Sequence, residues 1–216
     1  MANIVFPQIC YWCGGIVDGE EHVPPANLFV VGNNLNLKKV PSCKVHNQDF
    51  AKLDDRMKVY LQAASENPIA IAAFKDKTLR GLIRSPGLVK TISMNTELIK
   101  VGNEERKKFN IAKLDVQTYF EKITRGIYFY HFKKPLDAER KVYSFSLQIL
   151  DDELNYEEML HSILPELESD KTTKGIYENP KVFCYKYIIP ENSEYFLLYM
   201  KFYDSIEVIS MYGYQS

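Results

Sequence analysis

The sequence predicts an α+β fold, in which a small loop-rich module precedes several helices and a mainly antiparallel C-terminal sheet. Three observations lead to this prediction. The first 47 residues are rich in Gly, Pro and Asn and hold three of the four cysteines. A helical periodicity begins at Asp49, and stretches rich in aromatic and β-branched residues dominate after residue 127. We place the domain boundary after residue 62, giving domains 1–62 and 63–216.

The composition is that of a globular protein. Of its 216 residues, 46% are hydrophobic and 25% are charged, which excludes a disordered or low-complexity chain. No stretch approaches 18 consecutive apolar residues, and the N-terminus does not resemble a secretory signal. We therefore expect a cytoplasmic protein with no membrane partner.

Charge is divided unevenly along the chain, although the formal net charge is only −1. Residues 1–60 carry six basic and six acidic side chains, residues 61–141 carry sixteen and nine, and residues 142–216 carry five and thirteen. The three parts therefore have net charges of 0, +7 and −8. The middle part is the one suited to phosphate groups, whereas the last part would repel them.

Two helices are predicted in the middle of the chain. Apolar residues at helical spacing predict the first from Asp49 to about Asn67. Asn67 and Pro68 then read as an N-cap and first helical residue of the second, which we expect to end at residues 85–87, Ser-Pro-Gly. The outer side of this second helix carries four basic residues, which form either a solvated face or a nucleic-acid contact: Lys75, Lys77, Arg80 and Arg84.

The rest of the chain is predicted to be mostly strand. A helix capped by Asp115 is expected to end at Arg125, with Gly126 as the C-cap residue. One further helix is expected over 156–167, and a tight turn over 203–205. The predicted strands are 98–101, 127–132, 141–150, 182–189, 194–202 and 206–212.

Two pairs of metal-ligand residues lie in the loop-rich N-terminal part, each with a two-residue spacer. Cys10 and Cys13 form the first pair, Cys43 and His46 form the second, and 29 residues separate the pairs. Thiolate and imidazole are the donors that structural zinc takes in tetrahedral sites. We therefore predict a structural Zn²⁺ ion on these four residues, holding together a segment whose own core is small.

Other interpretations of the cysteines stay open. Cys10 and Cys13 alone could be a redox dithiol, although such a pair usually accompanies a βαβ pattern, which this sequence lacks. Cys184 lies in an apolar stretch and is expected to be a small buried residue.

Residues beside the two pairs carry a resemblance to a known family. Residues 20–25 read EEHVPP, an acidic-His-x-x-Pro pattern, and Asn47 directly follows His46. This ordered set resembles the HNH, or ββα-metal, nucleases, and in particular their endonuclease VII-like subgroup. The resemblance covers about residues 8–60 and implies a zinc-bound treble-clef module with a ββα hairpin.

The resemblance implies roles for three residues. His22 would be the general base that activates water, while Glu21, where the subgroup usually has aspartate, and Asn47 would hold a catalytic Mg²⁺ or Mn²⁺ ion. These roles suit phosphodiester hydrolysis, which benefits from a divalent cation at the leaving oxygen and from a base with a near-neutral pKa. The implied activity is that of a metal-dependent endonuclease acting on DNA, with RNA as the other candidate substrate.

A function without catalysis is the alternative. Glutamate places its carboxylate one methylene further out than aspartate, so the module could be a catalytically silent zinc-binding unit that recognises nucleic acid or a protein partner. The C-terminal part is rich in aromatic residues but acidic, so we expect it to bind a protein partner or a second copy of the chain rather than bases.

Overall fold

The computed structural model of the chain describes residues 8–29, 37–65, 67–137, 142–146, 165, 172–176, 179–189 and 195–213. Within these residues, helices and antiparallel sheets are combined, so the predicted α+β class is confirmed. The helix predicted over 156–167 lies outside the described residues except for position 165. The end of one predicted strand, 147–150, lies outside them as well.

An antiparallel hairpin followed by two helices makes up the first part, which we name the hairpin module (residues 8–29 and 37–65). Its elements are β1 (Gly19–Val23), β2 (Lys38–Ser42), α1 (Lys44–Gln48) and α2 (Ala51–Ala64). A 3₁₀ turn, Ala26–Leu28, follows β1. The long helix predicted from Asp49 is confirmed as α2.

Short helices and a second hairpin form the next part, which we name the extension (residues 68–112). Its elements are α3 (Pro68–Ala73), a π-helical turn (Phe74–Thr78), α4 (Leu79–Ile83), α5 (Pro86–Met94), β3 (Thr96–Val101) and β4 (Glu104–Phe109). The predicted cap is confirmed, since the side chain of Asn67 accepts the N–H of Ile69 at 2.8 Å. Pro86 begins α5 instead of only ending the preceding helix, because its fixed φ suits a first helical turn.

The longest helix, α6 (Lys113–Phe132), corrects two predictions. We expected a helix that stops at Arg125 and a strand over 127–132, but the helix runs through both. Asp115 lies in the first turn, and Lys133, with a φ of 58°, ends the helix in the left-handed conformation. The predicted strand over 127–132 is therefore wrong.

Packing explains why α6 continues. Ile127 and Phe129 are fully buried in the core, so tertiary contacts override the strand preference of β-branched and aromatic residues. Gly126 is not a C-cap residue. A Cβ at this position would come within 2.5 Å of Cγ2 of Val23, so glycine allows β1 to lie close against the helix.

The C-terminal sheet has five described strands, and every neighbouring pair is antiparallel. In spatial order they are β5 (Val142–Ser146), β9 (Ile206–Tyr212), β8 (Phe196–Phe202), β7 (Phe183–Ile188) and β6 (Thr173–Ile176). The tight turn predicted between the last two strands is confirmed, because Tyr203 and Asp204 both have positive φ. Strand β6 was not predicted.

One cluster of buried apolar side chains extends from the hairpin module through α6 to the C-terminal sheet. Val23 and Leu53 belong to it on the module side, and Phe120 and Phe202 on the other. The hydroxyl of Tyr203 donates to the carbonyl of Leu28 at 2.8 Å, which ties the sheet to the module. The hairpin module therefore shares a core with residues beyond the predicted boundary.

None of the helices in the described ranges combines the length and the apolar character that crossing a bilayer requires.

Candidate metal centre and adjacent hairpin

The four predicted zinc ligands come together in one cluster. The ligand atoms of Cys10, Cys13, Cys43 and His46 all lie within 4.8 Å of one another. Nδ1 of His46 is 3.2 Å from Sγ of Cys43 and 3.7 Å from Sγ of Cys10, and Sγ of Cys13 is 4.0 Å from Sγ of Cys43. Donors bound to one tetrahedral zinc ion lie roughly 3.5 to 3.8 Å apart, so the cluster could hold a metal ion.

Tight backbone turns place the ligands. The N–H of Gly14 donates to the carbonyl of Cys10 at 2.9 Å, and the N–H of Cys10 donates to the carbonyl of Gly15 at 2.8 Å. Gly14 has a φ of 71°, a conformation that glycine adopts without strain. On the other side, the carbonyl of Cys43 accepts the N–H of Asn47 at the start of α1. Each ligand pair therefore lies on one turn, as its spacing predicts.

The surroundings of Cys10 favour the metal-binding form of its thiol. Burial alone would raise the pKa of Cys10, but hydrogen bonds from the backbone of Cys13, Cys43 and Trp12 outweigh it and leave this pKa below its usual value. A lowered pKa favours the thiolate. Cys184, in contrast, lies half-buried in β7, where burial raises its pKa.

Aromatic stacking joins the cluster to α6. The ring of Trp12 stacks on that of His46, with centroids 5.4 Å apart, and the guanidinium of Arg125 lies 5.0 Å from the Trp12 ring. Arg125 is buried and donates to Glu121 at 2.8 Å and to the carbonyl of Leu136 at 3.2 Å. Arg125 thus connects the metal cluster to the core and does not lie at a helix end.

The carboxylate of Glu21 belongs to a buried ion cluster. The ammonium of Lys122, which is fully buried, lies 3.2 Å from Oε1 of Glu21 and 2.6 Å from Oδ2 of Asp54. Burial raises the pKa of both carboxyl groups, and the charge of Lys122 opposes that rise. This cluster, the ion triad, connects β1, α2 and α6.

His22 lies on the opposite face of β1 from Glu21. The pairing of β1 with β2 is regular, with Glu21 opposite Val40 and His22 opposite Lys39, so successive side chains point to opposite sides. His22 is half-buried, and burial, assisted by the charge of Lys39, lowers its pKa. The lowered pKa favours the neutral form of its imidazole.

Asn47 lies beside the beginning of β1. Its Nδ2 is 3.4 Å from the position that a Cβ would take at Gly19, which shares a face of the strand with Glu21. The structure therefore places the two expected ligands of a catalytic ion on one face and the expected base on the other. A divalent ion does not fit at Glu21 as it stands, because that carboxylate is buried and already bound to Lys122.

The four basic residues proposed to contact nucleic acid all lie in the extension. Lys75, Arg80 and Arg84 are exposed, and Lys77 is half-buried. Arg80 forms an ion pair with Asp76 one helical turn earlier.

Two residues of the ion triad were missed from the sequence. The burial of Asp54 and of Lys122 is not among the predictions above. The spacing in the sequence could have indicated the burial of Lys122. It lies three residues after the buried Tyr119 and four before Gly126, which contacts Val23, and so on the apolar face of α6. A lysine on such a face has to meet a buried acid.

The geometry described above is the basis for any assignment of function. Comparison of the chain with models of protein families, with curated proteins and with solved structures finds no match.

Proposed function

We propose that this chain is a zinc-held binding protein whose hairpin module does not hydrolyse phosphodiesters. One observation carries the proposal: the carboxylate of Glu21, the expected ligand of a catalytic ion, is buried against the ammonium of Lys122. A divalent cation at Glu21 would have to break the ion pair of that carboxylate with Lys122, inside a buried cluster that also contains Asp54. Breaking a buried ion pair in this way is strongly unfavourable.

Zinc is the metal that we propose for the Cys10, Cys13, Cys43 and His46 cluster. Three thiolates and one imidazole are a standard donor set for structural zinc, whereas Mg²⁺ and Mn²⁺ favour oxygen donors. The ion would hold the two turns together and so fix the hairpin against α6. A reducing compartment such as the cytoplasm, where thiols stay reduced, suits this site.

We assign the binding activity to the extension, and we propose that its partner is a protein. A cavity of about 530 Å³ opens between α2 and the extension, lined mostly by apolar side chains. We name this cavity the groove. Helices α4 and α5 next to it bury none of their side chains. Apolar surface of this kind marks sites of protein interaction more often than sites of nucleic-acid binding.

A nicking assay tests the absence of hydrolysis. Supercoiled plasmid is incubated with the zinc-loaded protein and its His22→Ala variant, each with Mg²⁺, with Mn²⁺ and with chelator. We expect no cleavage by either protein under any condition. Cation-dependent nicking by the wild type that disappears in His22→Ala, at equal zinc content, would overturn the proposal.

An HNH-type endonuclease is the second candidate, and one observation favours it. His22 lies half-buried on the face of β1 opposite Glu21, and its lowered pKa favours the neutral imidazole that could accept a proton from an attacking water. The DNA backbone would then contact the exposed basic residues of the extension. The same nicking assay decides between the two candidates, because only this one requires His22.

A further inference from the structure

The groove has an apolar interior of a definite size. Val59 of α2, Phe74 of the π-helical turn, Leu82 of α4, Ile92 of α5 and Phe109 of β4 contribute to its lining. Its volume of about 530 Å³ falls within the range of roughly 300 to 1,000 Å³ typical of ligand pockets. Several apolar side chains of a partner could therefore enter it.

The elements that line the groove also carry exposed apolar side chains. Ile83 of α4, Met94 of α5 and Leu98 of β3 are 73%, 75% and 70% exposed. Single exposed apolar residues are common, but these three lie on adjacent elements of one part of the chain. The extension therefore presents a wider apolar surface than the groove alone.

The charge of the extension is complementary to an acidic partner. Residues 68–110 contain nine Lys or Arg and four Asp or Glu, a net charge of +5. Lys75 is exposed and lines the groove itself. Opposite charge across an interface increases the association rate and sets specificity.

We infer that the groove binds an acidic amphipathic α-helix of a partner protein, an inference that rests on the proposed function. A helix places apolar side chains at i, i+3, i+4 and i+7 along one stripe, and such a stripe is what an apolar groove receives. Acidic side chains on the flanks of that helix would face the basic residues of the extension. Nucleic acid has no apolar stripe to place against Leu82 and Ile92.

A peptide titration tests the inference on the full zinc-loaded chain. Three synthetic 20-residue helical peptides share leucines at i, i+3, i+4 and i+7, and carry glutamate, glutamine or lysine at the remaining positions. Binding is measured by fluorescence anisotropy of labelled peptides at two salt concentrations. We expect the glutamate peptide to bind most tightly, and its affinity to fall as salt is raised.

Two variants with matched controls locate the binding. Leu82→Glu places a charge in the groove and should weaken binding of the glutamate peptide by about tenfold or more, whereas Leu114→Glu, at an exposed leucine outside the groove, should not. Lys75→Glu should weaken binding by roughly threefold to tenfold, and Lys52→Glu should not. Zinc content and far-UV circular dichroism show that each variant folds.

Each remaining outcome overturns the inference in a recognisable way. Equal binding of all three peptides, lost in Leu82→Glu, would remove the preference for acidic helices but retain a protein-binding groove, and so leave the proposed function standing. Binding of a labelled DNA duplex that needs Lys75 but not Leu82 would make the surface a nucleic-acid site. Self-association lost in Leu82→Glu would make the occupant a second copy. No peptide binding would overturn the inference, while the nicking assay judges hydrolysis separately.

Discussion

The hairpin module and the extension are adjacent in sequence but are stabilised in opposite ways. The hairpin module contributes Cys10, Val23 and Leu53 to the shared core. Its four metal ligands lie close to one another, and Glu21 forms an ion pair with Lys122 of α6. The extension contributes less to that core: Ala70 belongs to it and Ile92 packs against it, but α4 and α5 have no fully buried residue. Other apolar residues of the extension line the groove or are exposed to solvent. The module and α6 therefore provide most of the stability of the fold, whereas the extension exposes the surface that is available to a partner.

Removal of the metal should have the largest effect, and it should begin in the module. Zinc binding in structural sites is worth about 10 to 16 kcal/mol apparent, so Cys43→Ser or a strong chelator should unfold residues around the cluster. Thermal unfolding together with metal analysis measures this. Cys184→Ser, outside the cluster, should keep its metal and its melting temperature. Full stability after metal loss would contradict the assignment of the cluster.

Removing Lys122 should have the next largest effect. Lys122→Met leaves two buried carboxyl groups without their cation, which costs about 3 to 5 kcal/mol of unfolding free energy. Urea unfolding measures the loss. Combining Lys122→Met with Glu21→Gln and Asp54→Asn should recover most of it, and Lys90→Met on the exposed extension should change stability by less than about 0.5 kcal/mol. If Lys122→Met alone were neutral, the ion triad would have no structural role.

The same substitution at two helical glycines should act in opposite directions. Gly126→Ala in α6 forces a methyl group into Val23 and should cost about 1 to 3 kcal/mol. Gly81→Ala in α4 meets nothing within 4 Å and should stabilise the chain by up to about 1 kcal/mol. Melting temperatures measure both. Val23→Ala should restore part of the loss in Gly126→Ala; failure to do so would place the strain elsewhere.

A dependence of stability on pH is expected at the end of α6, and it should be small near neutral pH. Burial, together with the charges of Lys38 and Lys133, lowers the pKa of His131 to about 4, and its Nε2 lies 2.7 Å from the hydroxyl of Tyr185. The folded state therefore disfavours protonation, so the contribution of His131 is full above about pH 6.5 and is lost as pH falls towards 4. Urea unfolding of His131→Gln should show a shallower loss than the wild type over this range. Parallel curves would refute the shift.

Local sequence patterns predicted much of the fold, and packing decided the rest. The cap at Asn67, strands β7 to β9 and the turn at Tyr203 follow from signals within a few residues. The second half of α6 could not be predicted in this way, because its residues prefer strand and become helical through burial against the module and the sheet. The sequence pattern of Arg125 followed by Gly126 is the same whether the glycine ends a helix or allows a close contact with Val23.

The candidate site shows the same division. The metal cluster was found because the spacing of its ligands is a local signal, and the structure brings all four together. The environment of Glu21 was missed because Lys122 and Asp54 are 101 and 33 positions away in sequence. The roles of His22, Glu21 and Asn47 in catalysis and of the basic residues in DNA binding remain predictions.

The contacts of Trp12 with His46 and Arg125 have a consequence for observing this protein. The chain has a single tryptophan, so all indole emission comes from a ring in contact with one expected metal ligand and with the cation that joins it to α6. Loading, loss or exchange of the metal should therefore change the intensity and wavelength of that emission without any attached label. The intrinsic fluorescence of Trp12 can therefore be used to follow metal binding.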